Sequence, residues 1–300
     1  MQLIITRPKA QALVAVHELR GLGINAVALP LLGIEPLASA AAGERGAEGG
    51  AKSGAEGGAE GDAEGEAQAA LHACWARLSE CRLVMFVSAN AVAHFFAAAP
   101  RGAAWPTQTL AGSTGPGTTA ALRAAGVPAV CVREPAAGAA RLDSEALWQV
   151  LRALDWHATR ALIVRGERGR DWLAETLRTA GAQVDLVAAY RRTLPMLGAD
   201  ETTLLAAAET QPAQFAWHFS SSEAVRHLPL LAPGGTWRAS RAYATHERIA
   251  QAVREIGFAD VHLLAPGTRA LVQAWFAALQ SVGPSVGRSA GPSVGPLTRE

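Results

Sequence analysis

Two short polar runs occupy matching places in this chain. Ser88-Ala89-Asn90 follows the apolar run Val84 to Val87 and precedes a helical pattern from Ala91 to Ala99; Ser220-Ser221-Ser222 follows Phe215 to Phe219 and precedes a helix from Glu223. Serine or asparagine at such a junction caps the helix. An open helix N-terminus also presents unpaired backbone N–H groups and the positive end of the helix dipole, which suit a carboxylate. Two such ends facing each other across a cleft would hold a polyanion without any lysine. A third element, Gly112-Ser113-Thr114-Gly115-Pro116-Gly117-Thr118-Thr119-Ala120, invites comparison with phosphate loops. It lacks both the Gly-Lys-Ser/Thr ending of a P-loop and the GxGxxG spacing of a dinucleotide site, and reads as a turn that feeds Thr118 into a helix start.

The elements that carry these residues occur twice, in permuted order. Leu3 to Thr6, a helix to Gly23 and Ile24 to Leu29 are echoed by Leu162 to Gly166, a helix to Gly181 and Ala182 to Val187, the second unit ending in Tyr190-Arg191-Arg192. Met85 to Val92 is echoed by His218 to Val225, and Ala111 to Val132 by Ala242 to Leu264. Such a repeat implies two similar domains with a ligand cleft between them. Strand patterns alternate with helix patterns, so each domain is expected to be an α/β unit with a parallel sheet covered on both faces. In the helix from Lys9, the residues Ala12, Leu13, Val16, Leu19 and Leu22 form the expected inward stripe. Ligands of such sheets bind beyond the carboxyl ends of the strands, where the polar runs lie.

Composition limits the function classes. Half of the 300 residues are hydrophobic, enough for two cores. The net charge of +1 hides an asymmetry: residues 39–70 carry −5 and the remainder +6. That remainder has no clustered basic stripe, which argues against nucleic acid. Of the 27 basic residues 25 are arginine, whose planar fork grips carboxylates. Residues 39–70, with Gly-Ala-Glu near-repeats, have almost nothing large to bury and are expected to form a flexible insertion; the tail 281–300, which repeats Gly-Pro-Ser-Val-Gly, has the same character. Cys74, Cys81 and Cys131 form no CxxC pair, which suggests reduced thiols in a cytosol. The N-terminus shows no export signal and no apolar run approaches the roughly 18 residues of a membrane span, so a soluble cytoplasmic protein is expected.

Taken in order, the motifs resemble the uroporphyrinogen-III synthase family. They are Thr6-Arg7-Pro8 after the first strand, Val87 to Val92, Gly115 to Leu122 with Gly126, and Leu162 to Gly166 with Gly169-Arg170, Leu173 and Gly181 leading to Tyr190-Arg191. Phe219 to Ser222 and Leu264-Ala265-Pro266 follow in the second half. The resemblance implies two flavodoxin-like, doubly wound lobes, residues 1–34 plus 194–280 and residues 35–192, joined by a two-stranded linker. It also implies a cyclising lyase of porphyrin biosynthesis that acts without metal or cofactor on linear hydroxymethylbilane. The reaction removes water and closes the macrocycle to uroporphyrinogen III with the last pyrrole ring inverted. The substrate carries eight carboxylates, which fits a cleft lined by helix N-termini.

The resemblance carries Tyr190 over as the candidate general acid, against a packing role at a strand end. It makes Arg7, Ser88, Ala89, Asn90, Gly115, Thr118, Arg165, Gly166, Ser220, Ser221 and Ser222 candidate substrate contacts. It further implies a monomer, without nucleic acid or membrane partners, in transient contact with the preceding pathway enzyme. One departure stands out. Where the family's second lobe has a Gly-Pro-x-Thr-Ala turn, this chain reads His246-Glu247-Arg248-Ile249-Ala250, with Ile249 at the place of the threonine. His246 and Thr245 are the candidates for the missing contact. Two other classes stay open: a periplasmic-type binding protein, which would need an export signal, and a non-catalytic tetrapyrrole-binding or sensor module of the same fold.

Overall fold

The computed structural model describes residues 1–37, 59–139, 141–265 and 267–281. Residues 39–58 of the expected insertion and 282–300 of the expected tail lie outside them.

The chain opens with β1 (Gln2–Ile5), α1 (Lys9–Gly21) and β2 (Ala26–Ala28). Helix α1 stops where Gly23 takes φ +79°, a left-handed conformation that glycine adopts without penalty, and the amides of Gly23 and Ile24 return to the carbonyls of Arg20 and Leu19. Ala12, Val16 and Leu19 are buried, whereas Leu13 and Leu22 are about half exposed. The docking stripe is therefore narrower than the sequence pattern suggests: it follows the i, i+4, i+7 row, and Leu13 lies a quarter-turn off it.

After β3 (Gly33–Glu35) the second lobe runs through α2 (Ala59–Ala76), β4 (Leu83–Phe86), α3 (Ala89–Ala97), β5 (Leu110–Ser113), α4 (Pro116–Ala124), β6 (Val132–Arg133), α5 (Ser144–Leu151), β7 (Arg160–Gly166), α6 (Trp172–Thr179) and β8 (Gln183–Thr193). Helix α2 takes in residues 59–70, so the last part of the stretch expected to be flexible is helical. Its anchors lie further on, at the buried Leu71 and Trp75, and the Trp75 indole donates to the carbonyl of Phe95 at 2.8 Å. The chain then returns to the first lobe through α7 (Ala199–Thr210), β9 (Phe215–Phe219), α8 (Ser222–Leu231), β10 (Arg241–Ala244), α9 (Glu247–Glu255), β11 (Asp260–Leu263) and α10 (Thr268–Ser281).

The first lobe's sheet has the order β11-β10-β9-β1-β2, every pair parallel. The second has the order β3-β8-β7-β4-β5-β6, parallel except where β3 pairs antiparallel with β8. Reading β2, β1, β9, β10, β11 against β8, β7, β4, β5, β6 reproduces the permuted repeat strand for strand. The central strands serve two cores each. In β4, Val84 and Phe86 face Trp75, Phe95 and Trp105, while Leu83 and Met85 face Leu147, Trp156 and Leu177. In β1, Ile4 joins Trp217, Trp237 and Phe258, and Leu3 and Ile5 join Leu19, Tyr243 and Trp275. Fully burying one such side chain contributes about 1.5–3 kcal/mol.

The eleven-residue β8 leaves its own sheet and, with β3, forms the two-stranded link between lobes, Ile34 opposite Arg192 and Glu35 opposite Arg191. One irregularity in this strand matters. Arg165 pairs with Ala188 but Gly166 with Tyr190, so Ala189 is an extra, bulged residue. Val187 and Ala189 alternate onto the core face; the bulge brings Tyr190 to that face as well, where strict alternation would have turned it away.

Candidate functional site

The carboxyl ends of both sheets open into one cavity of about 920 Å³ between the lobes. A shallower hollow of about 430 Å³ lies at the amino ends of the second lobe's strands, lined by Arg82, Gln108, Arg160 and Gln183. Sheets of this kind bind at the carboxyl ends, so the interlobe cleft is the candidate site.

Among the helix starts that line the cleft are those of α3, α4 and α8, which carry the polar runs. Ser88 caps α3, its Oγ accepting from the amide of Ala91 at 3.2 Å, and Ser221 caps α8 by accepting from Glu223 and Ala224 at 3.2 and 3.4 Å. Capping satisfies those amides and leaves the first-turn amides of Ala89 and Asn90 without a backbone acceptor among the described residues. Helix α4 starts at Pro116 with Gly115 as a cap that has no side chain to close it, and Thr118, expected at a helix start, is buried in its first turn. The serines thus cap helices whose first amides stay open towards the cleft.

Tyr190 lies on the cleft floor. Its ring has no exposed surface and stacks on His94, with ring centroids 5.7 Å apart. Its hydroxyl shares a 2.9 Å hydrogen bond with Ser88 Oγ and stands 3.5 Å from Nη2 of Arg192, whose guanidinium lies over the ring. Arg192 donates in turn to Glu223 Oε2 at 3.2 Å. A continuous polar chain therefore runs from α3 through the linker to α8. Gln11 of α1 adds a direct bridge between lobes by donating to Asn90 Oδ1 at 2.8 Å.

Of the residues singled out from sequence, Tyr190, Arg7, Ser88, Ala89, Asn90, Gly115, Thr118 and Ser220 to Ser222 all line the cleft. Arg165 and Gly166 do not. Arg165 points away to an ion pair with Asp171, and Gly166 is covered by the Tyr190 ring. Neither Thr245 nor His246 reaches the cleft lining: the Nδ1 of His246 accepts from the amide of Arg248 at 3.1 Å and caps α9, which excludes it as a donor from that nitrogen. The lining also includes Gln11, Thr114, Arg192, Arg226, Arg248 and Thr268, none singled out beforehand. For Arg192 a signal existed, since it lies two residues beyond Tyr190 on the same strand; Arg226, one turn after Ser222, had a comparable one.

Electrostatically the cleft is basic. Burial pulls the Arg7 guanidinium below its ordinary pKa, and Glu18 offsets part of this. Beneath it His218 is buried; desolvation first, then Arg7, push its pKa from 6.5 to about 3, so it is neutral. Its Nδ1 has no hydrogen-bond partner among the described residues. Among the described residues no helix is long and apolar enough to cross a membrane.

The fold and cleft together define a two-lobed α/β protein with a basic, amide-rich site between its lobes. The family described as uroporphyrinogen-III synthase HemD matches residues 62–273. Uroporphyrinogen-III synthase of Salmonella typhimurium (strain LT2) is 31% identical over 196 residues, which cover 62% of this chain and 74% of that protein. A crystal structure of a mutant uroporphyrinogen III synthase from the extremely thermophilic bacterium Thermus thermophilus superposes with a TM-score of 0.50 at 16% identity, covering 94% of this chain and 99% of the other; at that identity the likeness speaks for the fold. The chain belongs to the uroporphyrinogen-III synthase family, cyclising lyases of haem biosynthesis.

Proposed function

We propose that this chain cyclises hydroxymethylbilane to uroporphyrinogen III, with loss of water and inversion of the last pyrrole ring. The observation that carries this reading is the Tyr190 hydroxyl, 2.9 Å from Ser88 Oγ at the open end of α3, on the floor of a cleft rich in amides and guanidinium groups. Backbone amides at the three helix starts and the cleft arginines receive the substrate's carboxylates. Arg7, Ala89, Asn90, Gly115 and the Ser220 to Ser222 turn are the contacts assigned to them.

Tyr190 is the general acid. Because its ring is covered and Ser88 stands between it and the cleft, the proton passes from Tyr190 through Ser88 to the leaving hydroxyl. The C–O bond breaks, water departs, and the phenolate faces the guanidinium of Arg192. The substituted α-carbon of the last ring attacks the methylene carbon of this cation-like azafulvene to form a spiro intermediate. The bond from that α-carbon to the bridge carbon of the third ring then breaks, leaving a second azafulvene there, and the free α-carbon of the last ring bonds to that bridge carbon, which inverts the ring. The proton released when that ring regains aromaticity returns to Tyr190, so the protein ends unchanged. Choice of the substituted carbon over simple closure is a matter of position, set by how both lobes hold the bilane.

The lobe division at residues 34/35 and 192/194 makes β3 and β8 the hinge of this grip. The chain acts as a cytoplasmic monomer that receives the bilane in transient contact with the preceding pathway enzyme, which suits a substrate able to close unaided to the type I isomer. A non-catalytic module of the same fold would have no use for a tyrosine hydroxyl linked to the cleft. Supplying freshly made hydroxymethylbilane and separating the product isomers decides between them: type III supports the enzyme, type I alone the idle module.

A further inference from the structure

The charge of the cleft is divided unequally between its walls. Apart from Tyr190 and Arg192 on the linker strand β8, the lining contributed by the second lobe, from Ser88 to Asn90, from Thr114 to Thr118 and at Leu142, contains no charged residue. The first lobe contributes Arg7, Arg226 and Arg248. Arg226 on α8 and Arg248 on α9 are exposed, and among the described residues the guanidinium of neither has an ion pair or hydrogen bond. The acids nearest to them in sequence are engaged elsewhere: Glu223 accepts from Arg192 at 3.2 Å, and Glu247 from Arg254 at 3.3 Å. Ile249 offers no hydroxyl to the cleft, and Arg248 beside it supplies a charged donor instead.

We propose that the first lobe is the ionic half of the grip, with Arg226 and Arg248 forming a carboxylate subsite on which the bilane docks before the uncharged α3 and α4 wall of the second lobe covers it. This rests on the cyclase reading above. Two guanidinium groups in open solvent act at long range and are screened by salt, so they govern capture; the amides of α3 and α4 act only at contact, so they govern the closed complex.

The test compares the full chain with Arg226→Gln, Arg248→Gln and the double variant, using freshly made hydroxymethylbilane at several ionic strengths. Arg152→Gln, an exposed arginine of the second lobe outside the cleft, is the control for net charge. Each cleft substitution is expected to raise KM about threefold to tenfold and the pair about thirtyfold, with kcat within about twofold of wild type, as for loss of partly screened ionic contacts. The salt dependence of KM should flatten in the double variant, and its melting temperature should stay with the wild type. If the wild type itself makes no type III isomer, the cyclase reading falls and this inference with it. If the wild type makes type III and the double variant keeps the wild-type KM and salt dependence, the inference alone is overturned. An equal rise in KM for Arg152→Gln overturns it too, since net charge would then explain the effect.

Discussion

The α-carbon of Gly166 lies directly against the ring of Tyr190: a Cβ there would stand 3.1 Å from both Cε2 and Cζ of the tyrosine and 3.4 Å from its hydroxyl. The glycine therefore makes the room in which the bulged strand seats its phenol. Gly166→Ala would displace a fully buried ring already held by His94 and by Ser88. We expect about 1–3 kcal/mol of destabilisation from overpacking. A fall in kcat with little change in KM should accompany it, read by chemical denaturation and steady-state kinetics. Unchanged kinetics would mean that the position of the hydroxyl does not matter.

Tyr190→Phe retains the ring and removes only the hydroxyl. If Tyr190 is the acid, this variant should lose roughly 10²-fold or more in kcat, and Ser88→Ala should lose part of the same factor because it breaks the relay. Both should still give the type III product, since ring inversion depends on the whole cleft. A packing role predicts near-normal turnover for phenylalanine and a severe loss of stability only for alanine, about 3–5 kcal/mol. Wild-type turnover by Tyr190→Phe would withdraw Tyr190 as the acid.

Proline at residue 89 gives a clean deletion of one amide. Ala89 is the first residue of α3, where proline fits best, and Ser88 before it is extended, as a residue before proline must be. Ala89→Pro should therefore keep the melting temperature while raising KM, by more than Ser221→Ala, whose hydroxyl caps a helix. Equal effects of the two would count against amide recognition of the substrate.

His218 makes stability depend on pH. Its folded pKa is about 3 against an ordinary 6.5, so as pH falls through 6.5 the unfolded chain gains a proton that the folded chain refuses. The stability due to this histidine is complete above pH 6.5 and is lost progressively between 6.5 and about 3. His218→Leu, which removes the titrating ring, should flatten the fall of melting temperature over that window. An identical pH profile for wild type and variant would refute it.

Deletion of residues 39–70, joining Ala38 to Leu71, should keep the fold and most of the activity, because the α2 anchors Leu71 and Trp75 remain. Ending the deletion at residue 58 should preserve more of the melting temperature, since it spares the first turns of α2 and the hydrogen bond between Gln68 and His72. A collapse of the melting temperature in both would assign the insertion a packed role.

The division between what could be read in the chain and what could not follows the range of the forces involved. Apolar periodicity and capping are local, so the permuted repeat, the strand-to-helix junctions at Ser88 and Ser221, and the doubly wound class were all legible before any coordinates. The cleft lining was legible wherever it coincided with those junctions. Other features depended on side chains meeting across long separations in sequence. A bulge at Ala189, invisible in the residue pattern, turned Tyr190 into the core and onto Ser88, 102 residues away. Arg165, placed among the substrate contacts by its motif, turned instead to Asp171, and His246 became a helix cap. Arg226 and Arg248 belong to none of the motifs singled out as substrate contacts; α8 and α9, packed side by side, bring both to the cleft. The sequence by itself determined which helices begin with open amides; only the tertiary structure decided which charges face them, because that depends on the docking of two lobes whose contacting residues carry no local signal of their partner.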